Sequence, residues 1–240
     1  MRPLALAKII LASAEDPVTL WFKIRNRHMV SFGLCSSLRC FASSPEGADI
    51  GHIIDVGANA GQFAKMAHFC WPSARIDSFE PDRAAATAFR REHAGDDGIV
   101  LHEHALGSFS GQLTIHCGTT SGQNSPLVEI GAPRKSSFEA KVLRLDDADL
   151  PSEGRKRLLK IDVQGYEMHV LRGAENSLRT LDLILVELSF AEMFDGGALI
   201  EEVWALLRQH GFKYLRVMDA YRDHRSGVVL QMDILFGRNA

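Results

Sequence analysis

The residues of this sequence best suited to chemistry are acids that close short apolar runs. Asp55 follows Ile53-Ile54 and is succeeded, after Val56, by Gly57-Ala-Asn-Ala-Gly61. Glu80 follows Ile76-Asp-Ser-Phe79, Asp162 follows Leu158-Leu-Lys-Ile161, and Glu187 follows Leu183-Ile-Leu-Val186. Apolar runs of this length are buried parallel strands, and open α/β sheets bind ligands where such strands end. After Gly61 the pattern turns helical, with Phe63, Ala64, Ala67 and Cys70 recurring on one face. A strand, a turn of small residues and a helix start together form a cradle for a nucleotide-like cofactor. Two glycines after a strand can also serve a tight turn alone. Glu80 weighs against that reading, because an acid roughly 20 residues on accepts hydrogen bonds from the hydroxyls of a cofactor ribose.

Asp162 is the first candidate for catalysis. As an acid it could cap the helix that follows, but Val163, Gln164 and Gly165 intervene. Lys160 alternates onto the same strand face, so a Lys160–Asp162 pair is available, neutralising the site or easing deprotonation of a substrate. Glu167 lies one turn into the next helix, where it either complements the macrodipole or adds a second acid to the pocket. Glu187, at its strand end, can be a base or a substrate ligand, and needs a partner that the sequence does not name. His102 and His104 would share one face of a strand over residues 99–105. No third ligand stands at a metal-binding spacing, so no metal is expected, and His104-Ala105 could instead flank an adenine ring. Asn124-Ser125, in a polar loop over 118–137, could bind a hydroxylated substrate or simply be solvated.

These positions require a scaffold of alternating strands and helices from residue 52 onward, that is, a mostly parallel sheet with helices on both faces. The sequence predicts an edge strand over 141–145, a core strand over 157–163, a helix over 166–178, a strand over 181–188 and a helix over 198–210. Two strands, 212–217 and 228–236, follow without a helix between them, so the last is expected to be antiparallel. That ending differs from a dehydrogenase sheet, whose second half repeats strand–helix–strand. Residues 1–49 form a basic, helical extension with a linker over 43–49, and residues 50–240 the main domain. The extension either caps the site or touches an acidic or glycan partner, or else packs on the sheet edge with its basic side chains in solvent. The 4–14 stretch reads as an amphipathic helix rather than a signal peptide, since Lys8 splits its apolar run.

With 240 residues, 46% of them hydrophobic, the chain can bury one large core. A net charge of −3 gives no reason to expect a nucleic-acid partner. No run is apolar enough for a transmembrane segment. The four cysteines show neither metal-ligand spacing nor a disulfide framework and fit reduced thiols in a cytoplasmic protein.

Taken together, Asp55-Val-Gly-Ala-Asn-Ala-Gly-Gln-Phe63, Phe79-Glu-Pro81, Ala105-Leu-Gly107, Leu145-Asp-Asp147 and Leu159-Lys-Ile-Asp-Val-Gln-Gly-Tyr-Glu167 resemble the FkbM family of S-adenosylmethionine-dependent methyltransferases. Val170-Leu-Arg-Gly-Ala174, Val186-Glu-Leu188 and Asp233-Ile-Leu-Phe236 continue the likeness, which spans about residues 50 to 237 and leaves out the basic extension. The resemblance implies a class I methyltransferase fold, Rossmann-like, with a seven-stranded, mostly parallel sheet. It implies S-adenosyl-L-methionine as cofactor and O-methylation of a sugar, glycolipid or natural-product hydroxyl. The cofactor would meet Asp55, Gly57, Asn59, Gly61, Gln62, Phe63, Glu80, Pro81, His104, Ala105 and Asp162. Catalysis would fall to Asp162, Glu187 and Lys160. The alternatives are an NAD-dependent oxidoreductase on a similar sheet, and a methyltransferase-like protein that binds a partner without turnover.

Overall fold

A computed structural model of the chain describes residues 16–26, 30–118, 121–131, 136–151, 155–223 and 225–238. The helix expected over 4–14 lies outside them. Helices α1 (Pro17–Arg25) and α2 (Phe32–Ala42) come first, followed by β1 (Ile50–Val56), α3 (Gln62–Cys70), β2 (Arg75–Phe79), α4 (Arg83–Glu92) and β3 (Ile99–His102). Three short strands, β4 (Ala105–Leu106), β5 (Gly111–His116) and β6 (Ser137–Leu143), form a small separate sheet. The chain then returns to the main sheet with β7 (Lys156–Ile161), α5 (Glu167–Arg172), β8 (Leu183–Ser189), α6 (Ile200–Gln209), β9 (Lys213–Arg222) and β10 (Val229–Gly237).

The seven main strands lie in the order β3-β2-β1-β7-β8-β10-β9. β10 runs antiparallel to both its neighbours, β8 and β9, and the remaining strands are parallel to one another. The reversal follows from chain length: a parallel return after β9 needs a crossover of about a dozen residues. Only a short turn is available here, closed by the Asp223 N–H donating to Val228 O at 2.8 Å.

Strand alternation sends neighbouring side chains to opposite faces. Ile54, Val56, Leu159, Ile161 and Val186 pack with Val170 and Leu171 of α5 and Val203 and Leu207 of α6. Ile53, Leu158 and Leu185 pack on the other face with Phe63 and Met66 of α3, Phe89 of α4, and Leu34, Leu38 and Phe41 of α2. Each fully buried side chain of this kind stabilises the fold by about 1.5–3 kcal/mol. α2 therefore shares the core of the sheet. Among the described residues no helix is long and apolar enough to cross a membrane.

Three elements differ from the sequence expectation. The strand predicted over 99–105 breaks after His102: the His104 N–H donates to His102 O at 2.9 Å, a tight turn that hands Ala105 and Leu106 to the small sheet. His102 and His104 thus share no strand face. The helix predicted over 166–178 ends at Arg172, because Gly173 passes so close to Gly107 that a Cβ there would lie 1.9 Å from the Gly107 carbonyl. The strand predicted over 141–145 starts earlier, at Ser137, and stops at Leu143. Leu145–Asp147 forms a 3-10 turn, in which Asp146 accepts the N–H groups of Asn176 and Ser177.

Candidate active site

The carboxyl ends of β1, β2, β7 and β8 open onto a cavity of about 760 Å³, within the size range of small-molecule sites. Its floor depends on Gly57, which has φ 77° and lies so near β7 that a Cβ would fall 1.9 Å from Asp162 O. Only glycine fits there. Asn59 follows in the left-handed region at φ 48°, which asparagine tolerates better than most residues. Its N–H donates to Glu80 Oε2 at 2.8 Å, and the Asp82 N–H donates to Glu80 Oε1 at 2.8 Å. Both carboxylate oxygens are thereby fixed, and each keeps a second lone pair. Burial pushes the Glu80 pKa up to about 7 despite these two donors.

Lys160 is held between strands. Its Nζ lies 3.2 Å from Asp55 Oδ1, 3.6 Å from Asp162 Oδ2 and 3.1 Å from Gly57 O, and 5.4 Å from the centre of the Phe63 ring. Burial alone would lower its pKa, but Asp55 and Asp162 outweigh that and raise it, so the ammonium persists. Asp55 is fully buried and also accepts from Ser78 Oγ at 3.4 Å.

Glu187 has the partners that its sequence position demanded. Its Oε2 accepts from Gln164 Nε2 at 3.1 Å and from Gln231 Nε2 at 2.9 Å. Gln164 Nε2 is also 2.9 Å from Asp162 Oδ1. Burial, then the nearby Asp162, Asp233 and Glu167, pushes the Glu187 pKa well above the carboxylate range. Asp233 stands opposite Glu187 in the strand register, its own pKa pushed up to about 7 by burial and by Asp162. Asp219 stands opposite Asp233 and accepts from the Ser31 hydroxyl at the start of α2. Gly33 makes room for it, since a Cβ there would lie 2.6 Å from Asp219 Oδ1.

Of the residues singled out from sequence, Gly57, Asn59, Gln62, Phe63, Glu80 and Pro81 line the cavity. So do His104, Ala105, Asn124, Lys160, Asp162 and Glu187. Asp55 and Gly61 stand behind the wall: Asp55 anchors Lys160, and Gly61 O pairs with His93 Nε2 at 3.0 Å. Glu167 turns to its own helix start, accepting the N–H groups of Val163 and Gly165 at 3.1 Å each. His102 pairs with the buried Asp77 at 2.8 Å. Ser125 and Asn124 tie down their loop, the first donating to Gln164 O at 2.7 Å and the second to Asp82 Oδ2 at 2.8 Å. Sequence reasoning missed Gln164, Asp219, Gln231 and Asp233 as cavity wall, whereas the first turn of α2, from the extension offered as a cap, does line it. Asp233 had left a signal, an acid in an otherwise apolar closing strand; the others depend on pairing between distant segments.

A nucleotide-type cavity at the β1–β7 junction, beside a sheet closed by a reversed strand inserted next to β8, defines the class I methyltransferase fold. The protein superposes with a TM-score of 0.51 on a precorrin-6y C5,15-methyltransferase from Geobacter metallireducens, over 88% of this chain and 90% of that one, at 10% identity. The family profile described as "Methyltransferase FkbM domain" matches residues 55–214, and the chain belongs to that family. It is 28% identical over 198 residues to the 31-O-demethyl-FK506 methyltransferase FkbM of Streptomyces tacrolimicus, covering 70% of this chain and 74% of that one. It is 27% identical over 173 residues to the 2-O-methyltransferase NoeI of Sinorhizobium fredii, covering 65% and 70%. The protein is an S-adenosylmethionine-dependent methyltransferase. This replaces the oxidoreductase alternative.

The donor set suits that cofactor. Six carboxylates line the cavity (Glu80, Glu129, Asp162, Glu187, Asp219 and Asp233). Among the described lining residues Lys160 is the one ammonium or guanidinium, and Asp55 and Asp162 hold it. A ligand bearing a sulfonium and an ammonium therefore meets carboxyl oxygens rather than unpaired cations.

Proposed function

We propose that the protein transfers a methyl group to a hydroxyl of a sugar, glycolipid or hydroxylated natural product that carries no negative charge. S-adenosylmethionine, when bound, supplies an electrophilic methyl group, so the protein's own task is alignment and removal of one proton. In this reading Glu80 accepts the ribose hydroxyls, and Pro81, His104 and Ala105 flank the adenine. Gly57, Asn59, Gln62 and Phe63 face the amino-acid end, with Asp55 and Gly61 shaping the turn from behind. Asp162 takes the acceptor's proton, and Lys160 stabilises the resulting charge distribution. Glu187 binds a neighbouring hydroxyl.

The observation that carries the acceptor class is the lining itself. Asp162, Glu187, Asp233 and Asp219 come from four adjacent strands, β7, β8, β10 and β9, at the end of the cavity closed by Ser31 and Gly33. Carboxyl groups exchange hydrogen bonds with hydroxyls, and among its described residues this wall offers an anionic acceptor no cation besides Lys160, which Asp55 and Asp162 already hold. The relatives' descriptions as 31-O-demethyl-FK506 methyltransferase and 2-O-methyltransferase support oxygen as the methylated atom. A hexuronic acid methyltransferase, AglP of Haloferax volcanii, is 26% identical over 139 residues, but the acidic wall argues against a uronate here. The test is transfer from methyl-labelled S-adenosylmethionine to matched neutral glycosides, amino glycosides and uronides. Alkali-stable label on the neutral or amino acceptors is expected. Label on uronides alone, or label released by mild alkali as a methyl ester would be, overturns the reading.

A further inference from the structure

Gln164 has features that neither the turn nor the cofactor explains. It sits between β7 and α5 at φ 55°, a conformation rare for residues with a side chain. Ser125 fixes its backbone by donating to Gln164 O at 2.7 Å. Its side chain then crosses the gap between two acids, with Nε2 2.9 Å from Asp162 Oδ1 and 3.1 Å from Glu187 Oε2. Carboxylates offer only acceptors, so the amide must turn its NH₂ towards both, one hydrogen to each. Gln231 donates a second amide hydrogen to the same Glu187 oxygen, at 2.9 Å. Glu187 Oε1 is left as the oxygen able to carry a proton.

Even with this donor between them, Asp162 raises the Glu187 pKa, so the two acids are close electrostatic neighbours. Here the other charged groups around the pair are Lys160 of β7, with its partner Asp55 of β1, Asp233 of β10 and Glu167 of α5. Asp219 of β9 stands next to Asp233. Lys160 is 3.6 Å from Asp162 Oδ2, on the opposite oxygen from Gln164, so Asp162 is held at both ends by donors while Glu187 is surrounded mostly by acids.

We propose that Gln164 is a positioning residue for the methyl transfer: its amide, hydrogen-bonded to both acids, holds Asp162 apart from Glu187 and aims it at the acceptor's hydroxyl. This rests on the reading of Asp162 as base. Glu187, protonated at Oε1, can donate a hydrogen bond to a second acceptor oxygen, which suits a polyhydroxylated ligand.

The test uses the full chain saturated with S-adenosylhomocysteine and labelled with ¹³C at the Asp and Glu carboxyls, titrated by NMR. Gln164→Gly keeps the left-handed turn available and removes the amide. It should raise the Glu187 midpoint further, because one of its two amide donors is gone, and lower kcat on a neutral glycoside about tenfold or more with S-adenosylhomocysteine affinity kept. Gln231→Leu, which removes a donor to Glu187 alone, should raise the Glu187 midpoint in the same direction but lower kcat less than Gln164→Gly does. If Gln164→Gly fails to fold, Gln164→Asn gives the same reading, because its amide falls one methylene short of both acids. A kcat within about twofold of wild type in a folded Gln164 variant overturns the proposal. Full turnover by Asp162→Asn would instead sink the base assignment itself, so the two failures are separable.

Discussion

Glu80→Gln is the substitution whose consequence can be worked most fully. The change keeps shape and removes one acceptor oxygen and the charge. In the wild type one oxygen takes the Asn59 N–H and the other the Asp82 N–H, both at 2.8 Å. With a single oxygen, the glutamine leaves one of these donors facing an NH₂, at about 1–3 kcal/mol, and the Asn59 turn loosens. Two ribose hydroxyls on a carboxylate make charge-assisted bonds of about 1.5–3 kcal/mol each, of which an amide retains one weaker bond. The expected loss is about 2–4 kcal/mol, or ~30- to ~1000-fold in affinity for S-adenosylhomocysteine. Isothermal titration at pH 8 reads it, with apo melting temperature as the folding control. The wild type supplies a second check. Burial raises the Glu80 pKa to about 7 and the ribose needs the ionised form, so affinity should climb from pH 6 to pH 8. The variant, lacking the group, should lose that slope. A folded variant that binds within about threefold of wild type would refute the role given to Glu80.

Three further outcomes follow. Gly57→Ala places a Cβ 1.9 Å from Asp162 O at φ 77°, so it should cost about 3 kcal/mol or more, lower the melting temperature by roughly 6–12 °C and abolish S-adenosylhomocysteine binding. Asp77→Asn weakens the bonds from Arg75, His52 and His102 to a fully buried carboxylate. It should destabilise by about 2–4 kcal/mol in denaturant titrations while leaving cofactor affinity unchanged, because Asp77 does not line the cavity. Apo stability should fall as pH rises from about 5 to 8. Glu80, Glu167 and Asp233, each raised to about 7, hold protons in the folded state that the unfolded chain has released. Below pH 4 the sign reverses through Asp77, held far below the usual range, and calorimetry across pH 3–8 should show the maximum between the two limbs.

What the sequence made legible is what local chemistry encodes. Gly57, Glu80 and Asp162 announce themselves because each ends an apolar run at the spacing a βα unit imposes, and all three meet at one cavity. Elements failed where a distant segment intervened. The strand that holds His102 ends there, with His102 paired to Asp77, 25 residues earlier, and the helix after Tyr166 is cut by contact between Gly173 and Gly107. The acceptor wall was hidden for the same reason. Glu187 finds Gln231 44 residues later, and Asp219 and Asp233 become neighbours only when β9 and β10 pair. Gln164 stands within the run that carries the family resemblance, but its bridge to Glu187, 23 residues later, depends on the pairing of β7 and β8.

The most direct test compares Asp162→Asn with wild type on a neutral glycoside acceptor, measuring kcat and S-adenosylhomocysteine affinity on the same preparations. Asparagine keeps the size and can still accept from Gln164, but cannot take a proton at neutral pH. The account predicts that kcat falls about 100-fold or more, within the range of general-base loss, while cofactor affinity changes by less than about fivefold. An unchanged kcat would contradict proton removal by Asp162.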